Sequence, residues 1–593
     1  MKTLDVIVVG AGIGGLSTAL ALAGDGHRVT VLDAIKEFAE VGAGIRIPPN
    51  AYKLATHWGV DFTLIKKDVS RGNRFVRWND GKVLCEVAFG GKENGEGEGM
   101  EARYGAPYHF VHRADLVEGL RRTAEELYSS NITIHTSTRV ISYDFHKPGV
   151  LTANGEEYTG DLIISADGIK SLARDAINGS PIVPVDTGDV AYRILVPGSA
   201  LLQDPDPGIR GLVTERWATH WMGPEAHVVG YPLRGGELYN IIIDVTHRTD
   251  LGSPLGDVDW GKSTDNTGLI ERFTGWCPAV HRLCGVAGEC VKWKLGELEE
   301  PLGRWVDESG RVGVLGDAAH PMMPYLAQGA AQVMEDAAAL RYALSYYLSE
   351  PSAGSSPSCI PSALHLYQSL RAPRASYITS NTQILQEWLH LHDGPAQEAR
   401  DGLMALGDTE ENPIFWASAV RRDWLFGWEV GAQARALGVS YAKEGGEREE
   451  EGEGKRKRWV EMGIPKFPPL PPPEASFSNL DKTYLKKLQF EPHRASSHTN
   501  LGDSSDKSED NEEDEDEQSK VEKEAQMPKK RGRKKAKNEI NLASPALLAM
   551  ISDELQTLCD TPESAMASGS SQLLISEEVN RRDVPVNWES LGI

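Results

Sequence analysis

The feature that most constrains this chain is a glycine turn held between two apolar runs at its start. Leu4–Val9 predicts a strand, and Gly10-Ala11-Gly12-Ile13-Gly14-Gly15 follows it directly. Leu16, Ala19, Leu20 and Ala23 then recur at helical spacing, and Arg28–Asp33 predicts a second strand. Gly10 permits the tight turn, Gly12 lets backbone approach a pyrophosphate, and Gly15 lets the helix pack closely on the strand. The helix N-terminus offers unpaired N–H groups and the positive end of its dipole to phosphates. Asp33 closes the second strand, where it is placed to accept hydrogen bonds from a ribose. The pattern predicts a Rossmann-like α/β unit that binds a dinucleotide.

A second signature comes three hundred residues later. Residues 311–336 read Arg-Val-Gly-Val-Leu-Gly-Asp-Ala-Ala-His-Pro-Met-Met-Pro-Tyr-Leu-Ala-Gln-Gly-Ala-Ala-Gln-Val-Met-Glu-Asp. Between the two lie Gly42-Ala43-Gly44-Ile45-Arg46-Ile47-Pro48-Pro49-Asn50, His112-Arg113-Ala114-Asp115-Leu116, and Asp161-Leu-Ile-Ile-Ser-Ala-Asp167-Gly168-Ile-Lys-Ser171. In these five ordered motifs the chain resembles the single-component FAD-dependent aromatic hydroxylases, specifically the salicylate hydroxylase-like branch common in fungi. The resemblance implies that FAD is the dinucleotide. It implies that Asp317 holds the ribityl chain and that the helix opening near Gly329-Ala330 directs backbone N–H groups at the flavin ring. A reduced flavin is an anion, which a helix N-terminus stabilises. By the same resemblance Arg113 reaches the FAD phosphates, Asp167 touches the pyrophosphate region and serves transient NAD(P)H binding, and the segment carrying Arg46 passes close to the flavin.

The 593 residues are forty per cent hydrophobic, enough for two or three domains. Six cysteines are thinly spread and form no CxxC, which excludes a dithiol of that spacing and a zinc ribbon. Cys277, Cys284 and Cys290 lie near His281, but at no metal-site spacing, so no metal is expected. Val6–Val9 is too short for a targeting core, and no run of eighteen apolar residues exists to span a membrane. The expected setting is cytoplasmic and reducing. The net charge of −24 argues against general affinity for nucleic acid.

Five segments are expected. Residues 1–180 form the first part of the FAD-binding domain. Residues 181–300 form a substrate-binding antiparallel sheet, because Val190–Val196, Trp217–Met222, Val228–Tyr231 and Leu238–Val245 alternate polar and apolar residues. Residues 301–345 return to the FAD domain, and 346–442 are helical, with a Ser/Pro-rich loop over Pro351–Pro361. Gly90–Gly99 reads as an exposed loop. Residues 443–593 are too charged and too poor in apolar groups to offset ordering entropy, and are expected to be disordered. This tail holds eight acidic residues in the nine positions Glu509–Glu517, then the basic segment 528–537. That segment resembles a nuclear localisation signal and, in Arg531-Gly532-Arg533, an AT-hook in which Lys534 replaces the proline; it also reads simply as a solvated charge run. Ser544–Leu558 is patterned as one amphipathic helix, with Leu547, Leu548, Ile551, Leu555 and Leu558 in a stripe.

The chain has no second GxGxxG, which fits a protein that NAD(P)H visits briefly. The resemblance implies a monooxygenase that uses NAD(P)H and O2 to hydroxylate a phenolic or aromatic-acid substrate through a flavin C4a-hydroperoxide, in secondary metabolism or aromatic catabolism. That electrophile reacts best with a phenolate. Lowering a phenol from about 10 toward 7 asks the site for roughly 4 kcal/mol. Arg193 is a permanent cation on the predicted sheet, suited to a phenolate or carboxylate. Tyr231 can hydrogen-bond the same oxygen, and related flavoenzymes use an arginine and a tyrosine at these places. His227 shares the strand face of Tyr231 and is a candidate base. Each has a plainer reading: an ion pair for Arg193, core packing for Tyr231, a satisfied buried histidine for His227. Trp217 and Trp221 share a face and either wall a pocket or fill the core. His320-Pro321 is expected beside the flavin. Two other functions remain open: a flavoprotein oxidase or dehydrogenase on the same fold, and a nuclear interaction protein acting through its tail.

Overall fold

The computed structural model of the chain describes residues 2–436, apart from 39–42, 91–98, 247–250, 253, 256–261, 265–266, 289, 350–358 and 411. The expected loops at 90–99 and 351–361 fall largely outside the described residues. Gly42 falls outside them too, as does everything expected of the tail from 443 onward.

The two apolar runs at the start become neighbours in a five-stranded parallel sheet. Its order is Val312–Val314, Leu162–Ser165, Asp5–Val9, Arg28–Leu32 and Ile132–His135. Asp5–Val9 is central, and its side chains are buried on both faces beyond Asp5, as a doubly covered parallel sheet requires. The helix Ile13–Ala23 covers one side and is buried almost all round. The strand Val312–Val314 pairs in parallel with Leu162–Ser165, so the second signature re-enters the first sheet at its edge. That pairing puts the Gly316-Asp317 turn beside the glycine turn.

An eight-stranded sheet forms the second layer, in the order Lys262–Thr264, Cys290–Glu297, Val185–Pro197, Leu238–Thr246, Ala226–Leu233, Trp217–Gly223, Gly72–Arg77 and Val83–Ala88. Its pairings are antiparallel except for Trp217–Gly223 against Gly72–Arg77, which is parallel. Two of its strands therefore come from the first 180 residues, earlier than the segment in which the substrate sheet was expected.

Register divides this sheet into two faces. Ile194, Val196, Trp221, Val228, Tyr239, Ile241 and Ile243 pack together on the outer face, under the short helices that follow residue 198. Phe75, Ala218, Met222, Val229, Tyr231 and Leu233 lie on the inner face, against the C-terminal helices and the loop at Met323–Leu326. Trp221 thus fills the outer core. Trp217 is also buried, with the guanidinium groups of Arg71 and Arg74 5.2 and 5.1 Å from its ring.

The helices Gly329–Ser349 and Cys359–Leu389 lie against one another; the first packs in the core of the first sheet, and the second reaches the inner face through Ile378, Leu385 and Leu389. Between them sits a buried ionic cluster. Arg371 Nε meets Asp336 at 2.7 Å and its Nη1 meets Glu335 at 2.6 Å, while Arg374 pairs with Glu335 at 2.7 and 2.9 Å. Two acids face two arginines, so the cluster is neutral as a whole, which makes its burial tolerable. Asn50 donates to Glu335 at 2.7 Å, and Arg374 lies 4.3 Å from the Trp424 ring.

Candidate active site

The glycine turn is built as its spacing requires. Gly10 has a φ of +101°, and a Cβ there would stand 2.4 Å from the Ala166 carbonyl oxygen. A Cβ on Gly15 would fall 1.8 Å from the Gly10 carbonyl oxygen. Gly12 differs: a Cβ there meets nothing within 4 Å. Its carbonyl accepts the Leu16 N–H at 3.0 Å, and the side on which a Cβ would stand is open.

Asp33 braces this turn. One carboxylate oxygen accepts the Ala11 N–H and the other accepts the Ile35 N–H at 2.8 Å. Each oxygen keeps a second lone pair, which suits a ribose hydroxyl. Asp167 caps the short helix Leu172–Asn178 by accepting the Leu172 N–H at 2.9 Å, and its Oδ1 is buried without a partner. Burial pushes its carboxyl above the usual range.

Val333 joins the two signatures. Cβ atoms on Gly14 and Gly316 would stand 2.4 and 2.7 Å from its Cγ2, so both glycine loops close onto one side chain. Val333 lies one turn into the helix that opens at Gly329, where Gly329 is exposed and its Cα faces open space. Asp317 and Arg113 are open to solvent yet densely surrounded by protein, as side chains lining a deep cleft are. Burial raises the Asp317 carboxyl, and His320 and Arg113 counter it. Burial lowers Arg113, reinforced by the charge of Arg193 and opposed by Asp317 and Asp33. Residues far apart in sequence thus share one electrostatic environment: Asp33, Arg113, Asp317 and, from the second sheet, Arg193.

The inner face of the second sheet forms the other wall. Arg193 is half-buried, lies 5.9 Å from the Trp293 ring, has an Nε with no partner, and makes no ion pair among the described residues. Tyr231 stacks on Phe110 with ring centres 4.7 Å apart, and Gly44 is close enough that a Cβ there would strike the Tyr231 ring at 2.7 Å. Burial pushes the Tyr231 phenol up to about 12, although Arg46 and Arg193 both pull it down. It is therefore a neutral donor lying between two cations.

His227 lies within a buried hydrogen-bonded chain. Its Nδ1 shares a hydrogen bond with His390 Nε2 at 2.8 Å, and its Nε2 lies 3.4 Å from the Asp244 carboxylate. The chain continues from His390 Nδ1 to Thr246 at 2.7 Å and from Thr246 to Asp189 at 2.6 Å, where Tyr325 and Gln386 also donate. Burial, reinforced by Arg46, lowers His227 to about 3. Burial and the neighbouring Asp189 raise Asp244 to about 8, against the pull of Arg193. The plainer reading of His227, a satisfied buried histidine, describes its geometry.

Arg46, grouped by the resemblance with the cofactor residues, is held by side chains of the second sheet. Along Gly44–Ile47 alternate residues face opposite layers, so Ile45 and Ile47 join the core of the first sheet while Gly44 and Arg46 face the second. The Arg46 guanidinium lies 3.0 Å from Asn73 Oδ1 and 3.3 Å from His220 Nε2.

The family model of the FAD binding domain matches residues 3–192. The FAD-dependent monooxygenase atnJ of Arthrinium sp is 34% identical over 403 residues, which is 67% of this chain and 88% of that protein. The chain belongs to the FAD-dependent aromatic hydroxylases. A 3-hydroxybenzoate 6-hydroxylase of Polaromonas naphthalenivorans is 32% identical over 436 residues, or 72% of this chain and 97% of that enzyme. Among solved structures, a salicylate hydroxylase substrate complex has a TM-score of 0.59 at 26% identity, covering 74% of this chain and 99% of that one. This flavoprotein is thus an FAD-dependent monooxygenase, and the turn at Gly10–Gly15 with Asp33, Arg113 and Asp317 fits its cofactor. No helix among the described residues is long and apolar enough to cross a membrane.

The ionic cluster of Glu335, Asp336, Arg371 and Arg374 carries no expectation from sequence. Glu335-Asp336 ends the second signature, and arginines three apart on a later helix were the available signal. Asp336 accepts the Gly316 N–H at 2.9 Å, so this cluster anchors the turn that presents Asp317.

Proposed function

We propose that this monooxygenase hydroxylates a phenolic or aromatic-acid substrate with NAD(P)H and O2. The observation that carries the reading is the position of Arg193, which the register puts on the same face of the sheet as Tyr231, half-buried and with a partnerless Nε. A phenol lying along the inner face has its oxygen between a permanent cation and a neutral hydroxyl donor. Arg193 stabilises the phenolate, and Tyr231 orients it by donating its proton. Each such contact is worth about 10²–10³ in rate when it acts on developing charge. The glycine turn, Asp33, Arg113, Asp167, Asp317 and the helix opening at Gly329-Ala330 would hold FAD, which would supply activated oxygen when bound. Asp317 and Arg113 fix the cofactor end of the cleft while the second sheet fixes the substrate.

His227 acts in this scheme as a link in the chain from Asp244 to His390 and Thr246. The relatives named as fungal FAD-dependent monooxygenases support a place in secondary metabolism, and those named 3-hydroxybenzoate 6-hydroxylase support an aromatic acid. The test is anaerobic reduction of the FAD-loaded protein by NADH and NADPH with a panel of phenols and hydroxybenzoates. Flavin bleaching accelerated by one phenol supports the proposal. Bleaching by that phenol with no nicotinamide present makes the protein an oxidase or dehydrogenase instead.

A further inference from the structure

Polar side chains from three strands and one helix end form an unbroken line on the inner face of the second sheet. Asp244 lies directly opposite His227, and Thr246 lies directly opposite Asp189. His390, just past the helix Cys359–Leu389, joins the two pairs. The links are Asp244 Oδ2 to His227 Nε2 at 3.4 Å and His227 Nδ1 to His390 Nε2 at 2.8 Å. His390 Nδ1 then meets Thr246 Oγ1 at 2.7 Å, and Thr246 Oγ1 meets Asp189 Oδ1 at 2.6 Å.

The direction of donation follows from the far end. Asp189 accepts from Tyr325, Gln386 and Thr246, so it stands as the carboxylate. Thr246 has a single hydroxyl proton and gives it to Asp189, so it accepts from His390 Nδ1. His390 Nε2 then accepts from His227 Nδ1, and His227 Nε2 is left as an acceptor facing Asp244. Only a protonated Asp244 donates there, and burial with the nearby Asp189 keeps that carboxyl protonated up to about 8. Every bond therefore points from Asp244 toward Asp189. His227, lowered to about 3, is too weak a base to keep a proton that passes through it.

The two ends lie in different surroundings. Arg193 is opposite Ile242, so Asp244, two residues on, is its diagonal neighbour on the same face, about 7–8 Å away. Asp244 Oδ1 is buried and has no partner. At the other end Thr246, Gln386 and Glu297 are half-buried, on the way to solvent. Arg193 and Arg46 act on the line from the pocket side, and Tyr325, Asp186 and Glu297 face it at Asp189.

Building on the hydroxylase reading above, we propose that Asp244 and Asp189 share one proton through His227, His390 and Thr246, and that this line carries the substrate's phenolic proton out of the pocket. One concerted shift breaks the Asp244 O–H, His227 Nδ1–H, His390 Nδ1–H and Thr246 O–H bonds. It forms new bonds at His227 Nε2, His390 Nε2, Thr246 Oγ1 and Asp189, leaving Asp244 ionised and Asp189 protonated. The phenol O–H then breaks, its proton goes to Asp244, and its electron pair stays on the oxygen as a phenolate at Arg193. Asp189 releases its proton to water, and the rings and hydroxyl turn back before the next turnover. The net change is one proton moved from phenol to solvent, with nothing oxidised. Asp244 meets the substrate; Asp189, His390 and Thr246 act through it.

The test uses the full-length, FAD-loaded protein in weak buffer with a pH indicator, and 3-hydroxybenzoate or whichever panel phenol speeds flavin bleaching. Thr246→Val keeps the branched shape but removes the hydroxyl that joins His390 to Asp189, whereas Thr246→Ser keeps the hydroxyl. Proton release on binding is expected to slow about 10²-fold in Thr246→Val at unchanged probe affinity, and to stay near the unmodified rate in Thr246→Ser. Release at the unmodified rate in Thr246→Val overturns the inference, as does equal slowing in both variants. Turnover of the phenol with no proton released on binding leaves the hydroxylase reading standing and overturns the relay. A second measurement needs no substrate: at neutral pH the infrared spectrum should hold a carboxylic-acid C=O band that Asp244→Asn removes. Absence of that band overturns the relay whatever the protein turns over. Its presence while no phenol is turned over supports the shared proton and sinks the hydroxylase reading instead.

Discussion

His320 Nε2 lies 2.7 Å from Asp336 Oδ2, and the same oxygen accepts the backbone N–H of Gly316. One buried carboxylate thus fixes both ends of the turn that carries Asp317. Burial alone would raise this carboxyl, but His320 and Arg371 outweigh it and hold it at about 2. Asp336→Asn removes the charge that Arg371 and His320 face. The expected loss is on the order of 3–5 kcal/mol in chemical denaturation, with faster FAD release on dilution. Unchanged stability with unchanged FAD retention contradicts the anchoring role.

Gly12 and Gly15 separate cofactor binding from folding. Gly15→Ala forces a Cβ into the Gly10 carbonyl, so the variant is expected to lose stability even without FAD. Gly12→Ala has open space around it, so its apoprotein is expected to melt within about 0.5 kcal/mol of the unmodified apoprotein. Its FAD affinity is expected to fall at least tenfold, because only a bound pyrophosphate meets the new methyl group. Thermal scans with and without FAD measure both effects. Intact FAD affinity in Gly12→Ala contradicts the placement of the phosphates.

Arg193 makes no ion pair among the described residues, so its replacement removes little that the fold relies on. Arg193→Met is expected to melt normally and retain FAD, while substrate-dependent kcat falls about 10²–10³-fold. The pH profile should also shift, since a substrate phenol without the cation ionises only at higher pH. A stability loss as large as the activity loss would identify Arg193 as structural.

Asp244 predicts a pH dependence of stability. Its pKa is raised by burial, then by Asp189, to about 8 in the folded protein, while the unfolded chain ionises near 3.8. Between those values the native state binds the proton and the unfolded state does not, so stability falls as pH rises from about 4 to 8. Asp244→Asn removes the titration and keeps a neutral side chain. Denaturation at pH 5 and pH 8 should show a smaller loss in the variant than in the unmodified protein. An equal loss in both assigns the dependence elsewhere.

Much of this molecule is legible in its sequence, for reasons that differ by element. The glycine turn could be read because Gly10 and Gly15 are required by backbone contacts within a short span of chain. Tyr231 and His227 could be placed on one face because a strand alternates, and the register bears that out. Alternation also puts Gly44 and Arg46 on a common face, but it cannot say which of two layers that face meets. The resemblance grouped Arg46 with the cofactor residues, and its neighbours Asn73 and His220 carried no signal because they belong to strands far apart in the chain. His390 and the Arg371–Asp336 pair were hidden for a related reason. A buried polar contact between distant segments leaves no period in either.

The most direct measurement of the central claim is turnover of a hydroxybenzoate by the FAD-loaded protein under ¹⁸O₂, with nicotinamide oxidation followed alongside product mass. The account predicts one labelled oxygen atom in the product for each substrate consumed, and none without NADH or NADPH. A product that carries no label, formed as the substrate itself bleaches the flavin, would contradict it.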